Sequence, residues 1–161
     1  MIMNGSIRFC LKAHRPVFLG WVLLAPMVWT GCQPETVDPV EPQLEWIDIN
    51  ATAFESAQTP VVVTLGYKDH QGDLGWADPD RHALEVQDER LEAPDTYHIP
   101  PLTPDEMELD IDGTFIVHLP PLFLLGNGGD EMTRLTFRVT DREGHASNVV
   151  QSPLLMITDT L

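Results

Sequence analysis

Four aspartates, Asp69, Asp73, Asp78 and Asp80, fall within one stretch of twelve residues, with Gly72 and Gly75 among them. Carboxylates at this density are the chemistry of hard cations. Ca²⁺ takes about six to eight oxygens from carboxylates, carbonyls and water, and a loop folded tightly at glycines supplies several at once. Asp141, in the turn Asp141-Arg142-Glu143-Gly144, adds a further carboxylate if its hairpin lies at the same end of the fold. The spacing is not that of an EF-hand loop, which closes on a bidentate glutamate. Asp and Gly are also turn formers, and an Asx turn uses the carboxylate on its own backbone. Two readings therefore stand side by side: a Ca²⁺-binding loop with Asp69, Asp73, Asp78 and Asp80 as ligands, and a structural turn. Trp76 in the same loop is either a contact platform for a sugar or peptide, or a lid folded over the core edge.

Other reactive constellations are absent from the sequence. There is no GxSxG, no HExxH and no CxxC. Beyond residue 31 the serines are Ser56, Ser147 and Ser152, and the histidines are His70, His82, His98, His118 and His145. No HxH or i, i+4 pair occurs among those histidines, which argues against zinc. A carboxylate pair for glycoside-type chemistry calls for a larger cleft scaffold. The expectation is a non-catalytic protein, with a small envelope hydrolase as the least favoured alternative.

Cys32 carries a different chemistry. Arg8, Lys12 and Arg15 precede an uncharged apolar run, Val17 to Trp29, which ends in Trp29-Thr30-Gly31-Cys32. That is the layout of a secretory signal closing on a lipobox, with Cys32 as the lipidated residue. Trp29 departs from the pattern, since a lipobox has Leu at that place. Plain secretion and an uncleaved anchor are the competing readings. All three put the remainder outside the cytoplasm. Gln33 is not an acidic retention residue, so the bacterial outer membrane is the expected destination. Cys10 leaves with the signal, so no internal disulfide is expected.

The expected segments are a signal peptide over 1–31, a lipidated Pro-rich tether over 32–43 and a folded domain over 44–161. The tether holds Pro34, Pro39 and Pro42, and at about 3.1 Å per residue it would reach roughly 30 Å from the bilayer. Of nine Lys+Arg in the chain, three lie in the signal; the remaining six against 25 Asp+Glu give a formal −19. Such a charge repels nucleic acid and anionic headgroups. The expected partners are the membrane, through the N-terminal lipid, and an envelope protein or glycan, not nucleic acid.

Within the folded part, period-two patterns and short β-branched runs recur. They begin near Leu44–Trp46 and include Thr59–Tyr67, Gly113–Leu119, Thr133–Thr140 and Asn148–Ile157, each bounded by Gly, Pro, Asn or Asp. Pro153 marks an edge or a bulge. No segment has sustained helical periodicity. About seven short strands at this spacing predict an all-β, immunoglobulin- or fibronectin-III-like antiparallel β-sandwich.

Tyr67–Pro79 (YKDHQGDLGWADP) and Arg134–Leu154 (RLTFRVTDREGHASNVVQSPL), with Tyr97–Pro104 between them, resemble a group of uncharacterised Bacteroidota lipoproteins. That group has a strand followed by a DGDGDLG loop, and a C-terminal hairpin of the form DRAGxxSN. Gln71 stands where the group has an Asp. The resemblance implies an immunoglobulin-like sandwich on a lipid anchor and implies no activity.

Overall fold

Strands form where branched and aromatic residues alternate with polar ones, so that one face of each has somewhere dry to go. The computed structural model describes residues 39–159 apart from 105, 106, 108 and 127. Cys32, the signal peptide and most of the tether lie outside the described residues. Among the described residues there are ten strands: β1 (Gln43–Ile49), β2 (Ala53–Glu55), β3 (Val61–Asp69), β4 (Leu84–Asp88), β5 (Asp95–Tyr97), β6 (Ile111–Leu119), β7 (Glu131–Thr133), β8 (Leu135–Val139), β9 (Val150–Gln151) and β10 (Leu155–Thr158). No helix occurs among the described residues. The expected runs map onto β1, β3, β6, the β7–β8 pair and the β9–β10 pair. Three strands were not among them. β2 and β5 are only three residues long, and β4 (LEVQD) carries its alternation between acidic neighbours.

The strands make three sheets, ordered β1-β3-β6, β5-β4-β8-β9 and β2-β10-β7. All pairings are antiparallel except β2 with β10. The result is an all-β, sandwich-like fold. Its shared interior takes Val61, Val63 and Leu65 from β3, Val117 and Leu119 from β6, Leu135, Phe137 and Val139 from β8, and Leu155 and Ile157 from β10. Burying a side chain of this size contributes about 1.5–3 kcal/mol. Trp46 of β1 meets Phe137 of β8 with ring centroids 5.9 Å apart, tying two sheets together.

The C-terminal hairpin runs through two sheets and kinks where it changes sheet. Pro153 sits at that kink, between β9 and β10. A proline has no N–H for the ladder, and Ser152 compensates. Its backbone N–H donates to Leu135 O at 2.8 Å, its Oγ accepts from Leu135 N at 2.9 Å, and its hydroxyl donates to Pro153 O at 2.8 Å. The side chain is buried because it substitutes for ladder bonds that the bend removes.

Candidate functional site

β3 ends on Asp69, whose carboxylate is fully buried. Its Oδ1 accepts from Gln71 N at 3.0 Å and its Oδ2 from Leu74 N at 3.1 Å. One side chain thus folds the following loop back over the end of its own strand and lets Leu74 enter the core. Gly72 and Gly75 then take left-handed backbone, at φ +69° and +91°. Both are also pressed against a strap formed by residues 98–104, with Leu109 beside it. A Cβ at Gly72 would lie 2.3 Å from Leu109 O, and one at Gly75 would lie 2.2 Å from Pro100 O. The strap is bonded on through Trp76 N to Ile99 O, Leu102 N to Leu74 O, and the Thr103 hydroxyl to Gly72 O.

The hairpin turn after β8 closes on the same loop. Arg142 donates from its backbone N–H to Asp73 O at 3.2 Å and from Nε to the same oxygen at 2.9 Å; its Nη2 reaches Gly72 O at 3.2 Å. Glu143 N donates to Asp73 Oδ2 at 3.2 Å. Asp141 is buried and holds its own turn, accepting from His145 N at 2.7 Å and meeting His145 Nδ1 at 3.1 Å. Asp141 therefore does lie at the end of the fold where the aspartate loop sits.

The electrostatics centre on Asp73. Burial pushes its carboxyl above the usual aspartate range, and the negative fields of Asp141 and Asp69 push the same way; the N–H of Glu143 opposes them. Two oxygens in the loop, Gln71 Oε1 and Asp73 Oδ1, are buried with no hydrogen-bond partner among the described residues.

The four aspartates expected as one ligand set are not one set. Asp69 and Asp73 lie in the buried knot with Asp141. Asp78 is exposed and accepts from Asp80 N at 3.0 Å, an Asx turn on the surface, and Asp80 is exposed beside it. Among the described residues, no three His, Cys, Asp or Glu side chains are grouped to hold a metal ion. Between the two pairs, Gly75 takes left-handed backbone and Trp76 packs on the core, while Asp78 and Asp80 follow on the surface. Trp76 is not a free stacking platform either, because the Arg81 guanidinium carbon lies 3.1 Å from its ring centroid.

The serines weighed as nucleophiles are bonded to the backbone. Ser147 Oγ accepts from Val139 N at 3.0 Å and donates its one proton to Asn148 O at 2.8 Å. Ser152 does the equivalent at the kink, and Ser56 Oγ accepts from Leu124 N at 3.1 Å. His118 is exposed on the outer face of β6 beside Ile116.

A second polar cluster had no counterpart in the sequence reading. Asp88, at the end of β4, binds Arg90 at 2.7 Å and accepts from the Thr133 hydroxyl at 2.5 Å. Arg90 also reaches Glu131 at 2.6 Å and Phe123 O at 3.0 Å. Burial alone would raise the Asp88 carboxyl, but the bonds from Arg90 and Thr133 outweigh it and hold it below its ordinary value. The only local signal was an Asp-x-Arg at a strand end; its partners Phe123 and Glu131 are more than thirty residues away.

A concavity of about 660 Å³ opens on the outer face of β1-β3-β6, where Gly66 leaves the sheet bare between Glu45, Ile47, Lys68 and Thr114. None of its lining residues belongs to the aspartate loop. No protein-family model, no curated protein and no solved structure matches the chain.

Proposed function

We propose that this chain is a lipid-anchored, non-catalytic β-sandwich of immunoglobulin/fibronectin-III type, acting as an interaction or accessory module at the bacterial outer membrane. The observation that carries the reading is the division of labour among side chains. Carboxylate oxygens of the aspartate loop accept from backbone N–H groups, both of Asp69 and one each of Asp73 and Asp78, while large apolar groups face outward. Ile116 and Met132 are each 60% exposed, and Val149, Phe123 and Leu154 are also on the surface. Exposed apolar side chains form a protein-docking surface where they lie together in one patch. The finer fold assignment is supported by β1-β3-β6 and β5-β4-β8-β9 sharing one core, with β2 running parallel to β10. The address rests on the Cys32 lipobox. Metabolic labelling with a tagged fatty acid tests it: the label goes on the wild type and is lost in Cys32→Ser. Label that survives the substitution refutes the anchor. Cross-linking in native envelopes tests the module reading, which fails if the chain has no neighbour there.

A second reading, a Ca²⁺-dependent form of the same module, is favoured by one specific observation. Gln71 Oε1 and Asp73 Oδ1 are oxygens buried without a partner, beside Asp69 and Asp141. Gln71 Oε1 and Asp73 Oδ1 are the oxygens the loop leaves for an ion. A cation held at a hundred times its dissociation constant adds about 2.7 kcal/mol of stability. Thermal melts with calcium and with chelator decide it. Coincident melts end this reading, and Asp73→Asn should abolish any shift that appears.

A further inference from the structure

β6 is an edge strand of its sheet. All nine of its residues pair with β3 on one side, and among the described residues no strand pairs with its other side. In an antiparallel ladder every second residue turns its N–H and C=O away from the paired neighbour, so this edge presents a row of backbone donors and acceptors. Natural edges are blunted by bulges, prolines, lysines or side-chain caps. The other edges here follow that rule. β1 bulges between Trp46 and Asp48, and the Asn148 carboxamide clasps Leu44 N at 2.8 Å and Leu44 O at 2.9 Å. β5 has three residues and β9 has two. β6 (IDGTFIVHL) contains no proline, lysine, arginine or bulge. Beside it lies a cavity of about 250 Å³, lined by Tyr97, Ile99, Pro100, Phe115, Ile116 and His118.

The sequence of the strand complements itself. When two copies of Ile111–Leu119 run antiparallel, the register centred on Phe115 is the one that pairs all nine residues. In that register Asp112 of each copy stands opposite His118 of the other. Both side chains are exposed on the outer face, and they are the only ionisable ones in the strand. Thr114 meets Ile116 on the same face, Ile111 meets Leu119 on the inner face, and Phe115 meets its own copy. The strand is close to neutral in a chain of formal charge −16, so the edge is a place where two such acidic chains can approach.

We propose that β6 pairs antiparallel with β6 of a second copy of this chain, centred on Phe115, joining two β1-β3-β6 sheets into one six-stranded sheet. This deepens the interaction-module reading by naming the partner. Sedimentation equilibrium of the full chain in detergent tests it, with a reversible dimer expected. Ile116→Lys places a charge on the exposed edge and should abolish the dimer with the melting temperature unchanged. His118→Glu sets like charges opposite each other twice and should weaken dimerisation about tenfold. Adding Asp112→Lys to His118→Glu restores opposite pairs and should recover the dimer. A monomer at every concentration overturns the proposal, as does a dimer indifferent to both Ile116→Lys and His118→Glu. If the chain is monomeric yet cross-links to a different envelope protein, self-pairing is wrong and the module reading stands. If it is monomeric and cross-links to nothing, both fail.

Discussion

Asp69→Ala is the most direct probe of what the aspartate loop does. Asp69 is completely buried, and its two oxygens accept from Gln71 N at 3.0 Å and Leu74 N at 3.1 Å. Truncation leaves both donors without a partner. A buried donor left unsatisfied costs about 1–3 kcal/mol. Leu74 N lies in the fully buried bond and takes the upper part of that range; Gln71 N lies in the partly buried one and takes the lower. The sum is about 3–4 kcal/mol. One effect works the other way, because removing the Asp69 charge relieves Asp73. It gives neither amide a new acceptor, so the two stranded donors set the sign of the net effect. For a domain of this size the loss lowers the melting temperature by roughly 10–15 °C. Asp78→Ala is the matched control: same residue type, same loop, same Asx geometry, but exposed. Water replaces its carboxylate, and the cost should be near 0.5 kcal/mol. Circular-dichroism melts of the two variants, with hydrogen exchange at the Leu74 amide, measure the difference. Coincident melts, or unchanged protection at Leu74 in Asp69→Ala, would refute the claim that this carboxylate holds the loop.

Three further outcomes are expected. Asp73 has a raised carboxyl pKa in the folded state, so between its ordinary value, about 3.9, and that raised value the folded form binds more protons than the unfolded one. Wild-type stability then falls as pH rises through this interval, and Asp73→Asn should be increasingly the more stable protein toward neutral pH; urea midpoints across the range, in chelator, check it. Gly75→Ala forces a Cβ to 2.2 Å from Pro100 O as well as straining a φ of +91°, whereas Gly144→Ala, at φ +95°, meets open space. The first should cost well over the roughly 1–2 kcal/mol of left-handed strain and the second about that alone, by denaturant titration. Arg90→Met strands the Asp88 carboxylate beside Thr133 and should cost about 3–5 kcal/mol. Because the Asp88 pKa is depressed in the fold, its contribution is present above the ordinary carboxylate range and is lost as pH falls through the depressed value. The variant should therefore lose the wild type's acid-side decline along with its stability.

Much of the fold was legible because strand periodicity is local. The alternation in Leu135, Phe137 and Val139 needs only its own eight residues to show which face is wet, and these three are buried together. β2 and β5 escaped notice because three residues do not make a period. Pro153 was legible as a break, since proline lacks the donor wherever it falls; that Ser152 mends the break was not, since its partner Leu135 lies 17 residues back in the chain. The aspartate loop was half legible. Its glycines and Asx-forming aspartates mark a tight turn in any context, but density in sequence did not become convergence in space. Asp69 and Asp73 lie before the left-handed Gly75 and against the Asp141 turn, whereas Asp78 and Asp80 lie after it on the surface.

From the sequence alone come the properties that short stretches of chain enforce: an all-β class, the turns, and the apolar run before Cys32 on which the membrane address is argued. Tertiary structure decided which carboxylates share a site. Arg142 and Glu143 meet the Asp73 loop across about seventy residues of chain, and Arg90 reaches Glu131 across 41. Contacts at such separation depend on how whole sheets stack, and sheets stack to bury Phe137, Leu65 and Ile157, not to bring charges together. The carboxylates therefore took positions set by core packing, where backbone N–H groups, and not one another, became their partners.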